Sequence, residues 1–420
     1  MKKIEPTALT VSQKTLLGML GHVLFGQPFA ADPQTDWGGV FRESCLQGVH
    51  RIAFHQCRDY GIPTEITEKI RPVAGRYVLR DIRIASQHTA LHTLMTRAEI
   101  PYTVLKGVAS AAYYPDPTLR SMGDVDFYVS PADLPRAEAL LIANGYTLRD
   151  TPHDCHEILD KQGVRLEMHY GIPGIPTGKA GELLNGYMKD LLTDTVPVKN
   201  ETATCLCPSP FHHGLVMLLH MQHHMLSEGI GLRHLCDWAV FVHSLGEGFV
   251  DLFREPLKRV GLWRFAQLMT LTAALFLGLP EADWMRAEGR DAEIAALLIS
   301  DILAGGNFGV KDPNRKYEGN YISDRGKDGV TKSRVAEGVS SLNRITRTKY
   351  PFTQRHAWLL PAGWIAVLGG YPVRSIRRRR RGEATDAVKA YRTSAPRRRL
   401  YRELALYEAE AKTQEGKDEA

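Results

Sequence analysis

Two aspartates interrupt a run of apolar residues that is typical of a buried β-strand. The run is GDVDFYV, residues 123–129, with Asp124 and Asp126 two positions apart. Because residues i and i+2 of a strand point to the same face, the two carboxylates should project together. Burying ionised carboxylates costs several kcal/mol unless they are paired or coordinate a metal. The pair therefore predicts a buried site that needs a cation.

A third acid occurs in a second apolar strand pattern, VRLEMHY, which contains Glu167. Carboxylate oxygens suit Mg²⁺, which commonly uses a few carboxylates together with substrate phosphates. The alternative is that Asp124 caps the strand and Asp126 faces solvent, as in most isolated D-x-D patterns. Glu167, and a Lys-Gly pair at the end of the preceding strand, favour the metal site.

Small and cationic residues surround the acids in the sequence. Gly107 and the segment Ser121 to Gly123 allow a close approach of the backbone to a phosphate group. Lys106 and Arg120 supply cations for phosphate oxygens, with Arg120 as the candidate for triphosphate contact. We therefore predict a phosphate-binding site beside the carboxylates.

The order of apolar patterns predicts an α+β fold with four regions: 1–98, 99–200, 201–372 and 373–420. The first and third regions have helical three- and four-residue spacings, and the last is a basic, partly disordered tail. In 99–200, short strands alternate with helices. Ser130 is the expected N-cap of one helix, and a hairpin is expected across DKQG, residues 160–163.

Charge and cysteine content give little support for other classes of protein. The net charge of +6 comes from residues 371–420, and the rest of the 420-residue chain is formally neutral. The six cysteines form no repeated CxxC pairs, and the apolar residues near the N-terminus are broken by Gly, His and Gln. We therefore expect neither a disulfide scaffold nor a signal peptide, and we expect a reducing, cytoplasmic location.

Several of these segments together resemble a known family. The segments LKG, YYPDPTLRSMGDVDFYV and LEMHY resemble those of an uncharacterised bacterial nucleotidyltransferase family in the DNA polymerase β-like superfamily. GLRHLCDWAVFV and DILAGGNFG are also similar to family segments, so the resemblance extends over residues 8 to about 380. Lys106 and Gly107 occupy the place of the usual Gly-Ser pair.

The resemblance implies a polymerase β-like α/β core with a short mixed sheet. It also implies transfer of a nucleoside monophosphate group, with AMP expected, from an NTP to an unidentified acceptor. Asp124, Asp126 and Glu167 would hold two Mg²⁺ ions, and Lys106 would hold the terminal phosphates in place of the missing serine.

Further candidates for lining the cleft lie mostly in the helical third region: His169, His220, His224, Arg233 and Asp237. His220 and His224 have a spacing that can bind zinc, but the sequence offers no evident third ligand. Arg233 and Asp237 are at i and i+4, where a helix-surface ion pair is the more common outcome. Cys205 and Cys207 form an isolated CxC expected on a loop.

The segment 357–381 is the one membrane-like feature. Its 17 apolar residues, Ala357 to Val373, are short for a spanning helix and are followed by five arginines, Arg377 to Arg381. Packing on the core is favoured over weak contact with a membrane surface, and no nucleic-acid-binding module accompanies the arginines. Two alternatives to the enzyme stay open: a non-catalytic nucleotide-binding module, and a peripheral membrane factor acting on surface-polymer precursors.

Overall fold

The computed structural model describes most of the chain. The described residues are 9–55, 60–149, 155–199, 203–286, 289–312, 314–315, 342–343, 346, 350, 353, 357–369 and 394–408.

The N-terminal region is helical, as expected, with helices α1 (Val11–Phe25), α2 (Trp37–Gln47), α3 (His50–Ala53) and α4 (Thr64–Arg97). The apolar spacing of WGGVFRESCLQGVHRIAFHQCRDYG, residues 37–61, predicted one helix where α2 and α3 lie. That prediction was wrong because Gly48 ends α2 in the left-handed region, with φ of 72°. Glycine has no Cβ and adopts this conformation at low cost. The 34-residue α4 packs on the sheet described next.

A five-stranded mixed sheet follows, and it confirms the predicted α+β class. Its strands are β1 (Tyr102–Val104), β2 (Val125–Val129), β3 (Thr147–Leu148), β4 (His156–Lys161) and β5 (Val164–His169). Their spatial order is β1-β2-β5-β4-β3. β2 and β5 are parallel, and the other neighbouring pairs are antiparallel, including the predicted β4–β5 hairpin.

Two local predictions in this region were wrong. Helix α6 (Leu134–Ala143), which follows the short α5 (Val108–Ala111), begins four residues after Ser130. The Ser130 hydroxyl instead accepts from the Asp133 amide at 3.1 Å in the preceding turn. Cys205 and Cys207 lie on no loop but on the buried face of a strand, where alternate residues point inward. That strand, β7 (Thr204–Pro208), pairs with β6 (Thr195–Lys199) and follows α7 (Lys179–Tyr187).

The C-terminal helices share one apolar core with α1 and α2. They are α8 (Pro210–Met225), α9 (Leu232–Leu245), α10 (Gly248–Val260), α11 (Trp263–Leu277) and α12 (Asp291–Gly305), and shorter helices span Leu360–Gly369 and Ala395–Glu403. A second core lies between the five-stranded sheet, α4 and α6. One cavity is lined by residues of α4, α8, α9 and the five-stranded sheet, and it contains the candidate site.

Among the described residues, one helical stretch, Asp291–Gly309, is long and apolar enough by composition to cross a membrane. More than half of it is buried in the protein, as is usual for the core helix of a soluble protein. In the membrane-like segment 357–381, for which packing on the core was favoured, residues 357–369 are helical, and the Trp358 and Ile365 side chains are exposed. The arginine run Arg377 to Arg381 lies outside the described residues.

Candidate active site

The two strands that carry the acids are direct neighbours. In the parallel pairing of β2 with β5, Asp126 is opposite Glu167. Side chains at paired positions of adjacent strands point to the same face, so the two carboxylates meet. Asp124 precedes β2 by one residue and lines the same cavity of about 660 Å³.

The Asp126 carboxylate contacts the Lys106 ammonium and the His169 imidazole. Lys106 Nζ lies 2.7 Å from Asp126 Oδ1, and His169 Nε2 lies 3.1 Å from the same oxygen. Burial opposes ionisation of Asp126, but Lys106 and His169 outweigh it and hold the pKa well below its usual range. The Asp126 side chain is therefore a fixed, ionised carboxylate.

For Glu167 and Asp124, nearby cations do not outweigh the effect of burial on the pKa. Burial and the Asp126 carboxylate raise the pKa of Glu167 to about 7, and the same two causes raise the pKa of Asp124. Crowded carboxylates of this kind are stabilised in their ionised form by a cation.

A metal ion fits this group of residues. Ligand atoms of Asp126, Glu167 and His169 all lie within 4.8 Å of one another. The carboxylate oxygens are hard donors of the kind that Mg²⁺ prefers, and the raised pKa of Glu167, caused by burial and by the Asp126 carboxylate, shows that this second acid lacks a cation strong enough to favour its ionised form.

The loop between the 3₁₀ turn Pro117–Leu119 and β2 is fixed by buried ion pairs. Arg120 Nε and Nη2 each donate to one oxygen of Asp237, at 2.8 Å, and the Tyr114 hydroxyl donates to Asp237 Oδ1 at 2.8 Å. Further along the loop, Asp81 accepts from the Met122 amide and from Arg51. The prediction of a surface ion pair between Arg233 and Asp237 was wrong, because Asp237 is buried and pairs with Arg120.

Two polar atoms at this loop lack hydrogen bonds within the part of the chain that the structure describes. They are the buried Ser121 Oγ and Arg233 Nε. A Cβ atom at Gly123 would lie 3.4 Å from Arg233 Nη1, so this guanidinium lies directly against the loop. Burial, and then the nearby Arg120 charge, lower the pKa of Arg233. The Arg233 charge is therefore poorly neutralised at the cavity wall.

Gly107 is required where the chain leaves β1. Its φ is 67°, and a Cβ atom there would lie 3.3 Å from the Nε2 atom of His88. A larger residue would be strained and would press on this buried imidazole. Gly107 thus allows Lys106 to turn from the sheet into the cavity.

Histidines form the opposite wall, and they continue the contacts of Lys106. Its Nζ lies 2.9 Å from His220 Nε2, which lies 2.8 Å from His224 Nε2. His224 Nδ1 in turn lies 2.8 Å from Glu228 Oε1. Burial, and next the Lys106 charge, lower the pKa of His220 well below its ordinary value, so its ring is neutral. A chain of polar contacts thus runs from Asp126 to Glu228.

His213, which shares a helix with these residues, points elsewhere and contacts the Ser110 hydroxyl at 3.3 Å. Among the described residues, the groups of three ligands close enough for one metal ion are Asp126–Glu167–His169 and Cys155–His156–His169. The histidines of α8 are not part of either group. Within the described part of the chain, the zinc-compatible spacing on this helix therefore has no third ligand in place.

The cavity brings together nearly all the residues that the sequence singled out: Lys106, Gly107, Arg120, Ser121, Gly123, Asp124, Asp126, Glu167, His220, His224, Arg233 and Asp237. His169 contacts Asp126 but is not among the lining residues. Other residues of this cavity were not predicted from the sequence, including Arg80, Arg165, Glu228, His234 and Phe308. Arg165 had a signal, since it is a cation two residues from Glu167.

A comparison with known families agrees with this geometry. A family model described as an uncharacterised nucleotidyltransferase matches residues 33–278, which is more than half of the chain and includes the acids, Lys106 and α9. The match is shorter than the expected resemblance over residues 8 to about 380, and the DILAGGNFG segment, residues 301–309, lies beyond it. No curated protein matches the chain. By the extent of the match, the chain belongs to this uncharacterised nucleotidyltransferase family.

Proposed function

We propose that the chain transfers a nucleoside monophosphate group, with AMP expected, from an NTP to an acceptor nucleophile. The nucleophile would form a bond to the α-phosphorus, and the bond to the β-phosphate would break, so that pyrophosphate leaves. Asp124, Asp126 and Glu167 would hold the Mg²⁺ ions, with two ions expected. The observation that carries the proposal is the pairing of Asp126 with Glu167 on adjacent parallel strands beside a cavity that also receives Asp124 and Lys106.

The bound ions would neutralise phosphate charge and lower the pKa of the attacking group. The protein's own contribution is positioning, which dominates catalysis of phosphoryl-group chemistry. Lys106 and His169 fix one oxygen of Asp126, and the second oxygen of this carboxylate can then face a ligand. Lys106 also keeps a positive charge at the cavity wall near the expected phosphates.

We assign the triphosphate contact to Arg233 and Ser121 rather than to Arg120. Both nitrogens of Arg120 that face Asp237 are used in a buried ion pair, so its role is to hold the loop. Arg233 Nε and Ser121 Oγ have no such partner among the described residues and lie at the cavity. An arginine with unused donors is well suited to phosphate oxygens.

Replacing Arg233 with glutamine should weaken NTP binding about tenfold or more, since a charge-assisted hydrogen bond contributes about 1.5–3 kcal/mol. Binding of the corresponding NMP should change little, because it lacks the β- and γ-phosphates. The affinities can be measured by calorimetry with a non-hydrolysable NTP analogue in the presence of Mg²⁺. An equal loss for NTP and NMP, or no loss, would contradict the assignment.

The histidine wall is the expected place for the acceptor or the base. Neutral His220 offers a ring nitrogen beside Lys106, and the Phe308 ring contacts His220 and His224. Aromatic and imidazole rings of this kind can stack on a planar group, while the strand side of the cavity carries the phosphates. We also infer a reducing, cytoplasmic location from the sparse cysteines of the sequence, which form no repeated CxxC pairs.

The proposal predicts pyrophosphate release that depends on Mg²⁺, an NTP and an acceptor. Purified protein is incubated with each of the four NTPs and a fractionated cell extract, and pyrophosphate is measured with and without chelator. Tight NTP binding without pyrophosphate release in any fraction would instead support the non-catalytic nucleotide-binding module. Activity confined to lipid-containing fractions would support the membrane-factor alternative.

A further inference from the structure

A second group of potential metal ligands lies beside the candidate active site. Cys155 directly precedes β4, and His156 is opposite His169 in the antiparallel pairing of β4 with β5. Ligand atoms of the three residues all lie within 4.8 Å of one another. Cys155 and His156 are not among the residues that line the 660 Å³ cavity. The group shares His169, but neither carboxylate, with the Asp126–Glu167–His169 group.

The ligand types select a different metal from Mg²⁺. A thiolate and two imidazoles are the donors that Zn²⁺ prefers, and sites with three protein ligands leave one position open. With ordinary Zn–S and Zn–N bond lengths, tetrahedral geometry separates sulfur from nitrogen by about 3.6 Å. Cys155 Sγ lies 3.7 Å from His156 Nδ1. The pair is thus already at the spacing that one zinc ion requires.

The backbone holds Cys155 in this place. The amides of Tyr170 and Gly171, which follow β5, both donate to the Cys155 carbonyl, at 3.0 and 3.3 Å. A Cβ atom at Gly171 would lie 3.4 Å from the Cys155 Cβ, at van der Waals contact, so the two segments are in direct contact here. The Cys155 backbone is therefore hydrogen-bonded to the residues that follow β5, the strand that carries His169.

His169 links this group to Asp126. Its Nε2 lies 3.1 Å from Asp126 Oδ1, where it can donate a hydrogen bond. Metal-binding histidines usually donate their second ring N–H to a carboxylate, which fixes the tautomer and the ring orientation. With Nε2 directed at Asp126, Nδ1 is the His169 nitrogen that we assign to the metal.

We propose that Cys155, His156 and His169 bind one Zn²⁺ ion, which orients His169 and through it positions the Asp126 carboxylate. The metal site is independent of the enzyme reaction, whereas its positioning effect rests on the proposed function. His169 is accordingly a positioning residue, and Zn²⁺ and Mg²⁺ would occupy separate sites on either side of the Asp126–His169 hydrogen bond.

The test uses the full chain and Co²⁺ as a spectroscopic substitute for Zn²⁺. Protein stripped with a chelator is titrated with Co²⁺ in excess Mg²⁺, and we expect one equivalent to bind with a thiolate-to-cobalt charge-transfer absorption. Added Zn²⁺ should displace it. The band should disappear in Cys155→Ser and weaken strongly in His156→Asn, with Cys45→Ser as the matched cysteine control that keeps it. No stoichiometric binding, or a band that persists in Cys155→Ser, would overturn the proposal.

A further variant separates this proposal from the enzyme assignment. Asp124→Asn should keep the cobalt band while losing pyrophosphate release, because Asp124 does not contact the three ligands. A cobalt band in a protein without any nucleotidyl transfer would leave the zinc site standing and remove the proposed function. Nucleotidyl transfer with no cobalt band would support the proposed function and remove the zinc site. For the positioning effect, Cys155→Ser should raise the Mg²⁺ concentration for half-maximal pyrophosphate release about tenfold, and an unchanged Mg²⁺ requirement would refute that part.

Discussion

Replacing Asp126 with asparagine is expected to lower the rate of pyrophosphate release by on the order of 10³-fold or more, while the fold is retained. Asparagine has the same shape, but it removes the one carboxylate charge that the site holds firmly ionised. It also replaces the anionic partner of the Lys106 ammonium, 2.7 Å away, with a neutral acceptor, so Lys106 is held less firmly near the expected phosphate position. Initial rates at saturating NTP and Mg²⁺ measure the effect, and circular dichroism checks the fold.

The matched control is Asp251→Asn, an equal change of charge at an exposed position in the first turn of α10. This variant should keep the wild-type rate. Glu167→Gln should resemble Asp126→Asn, because the two carboxylates are paired across β2 and β5. Undiminished turnover in Asp126→Asn would remove this residue from the metal site, and with it the proposed mechanism.

The acidic part of the site was predictable because it conflicts with its surroundings in the sequence. Asp126 and Glu167 interrupt apolar strand patterns, and strand periodicity gives the direction in which each side chain points. Their register is a property of the folded sheet. The alternation of residues in β2 and β5 constrains which face each acid occupies, but the parallel pairing that joins Asp126 to Glu167 depends on packing between distant segments.

The basic and imidazole parts were less predictable, because their partners come from distant segments. Arg120 was assigned to the triphosphate from its position beside the acids, but it pairs with Asp237 from α9 instead. Glu228 and His234 have no local signal, since their significance depends on the helices α8 and α9 meeting at Lys106. Cys155 and His156 become a potential ligand pair only when β4 pairs with β5 beside His169.

Replacing Asp237 with alanine should lower the free energy of unfolding by about 3–5 kcal/mol. The reason is that Arg120 would remain buried with no carboxylate, and the Tyr114 hydroxyl would lose its 2.8 Å acceptor. Arg233 would also lose a nearby negative charge, although it makes no direct contact with Asp237. The midpoint of urea unfolding, followed by tryptophan fluorescence, measures the loss.

An exposed ion pair supplies the comparison for this prediction. Glu281 and Arg286 are both about half exposed, so Glu281→Ala should lower the free energy of unfolding by no more than about 1 kcal/mol.

The double variant Arg120→Met with Asp237→Leu should recover much of the stability lost in Asp237→Ala, because it removes both buried charges together. Its NTP affinity should nevertheless stay low, since the loop that carries Ser121 and Gly123 would lose its anchor on α9. If Asp237→Ala is no less stable than Glu281→Ala, the buried Arg120–Asp237 pair does not hold this loop. If the double variant regains NTP affinity, the loop is positioned without the Arg120–Asp237 pair.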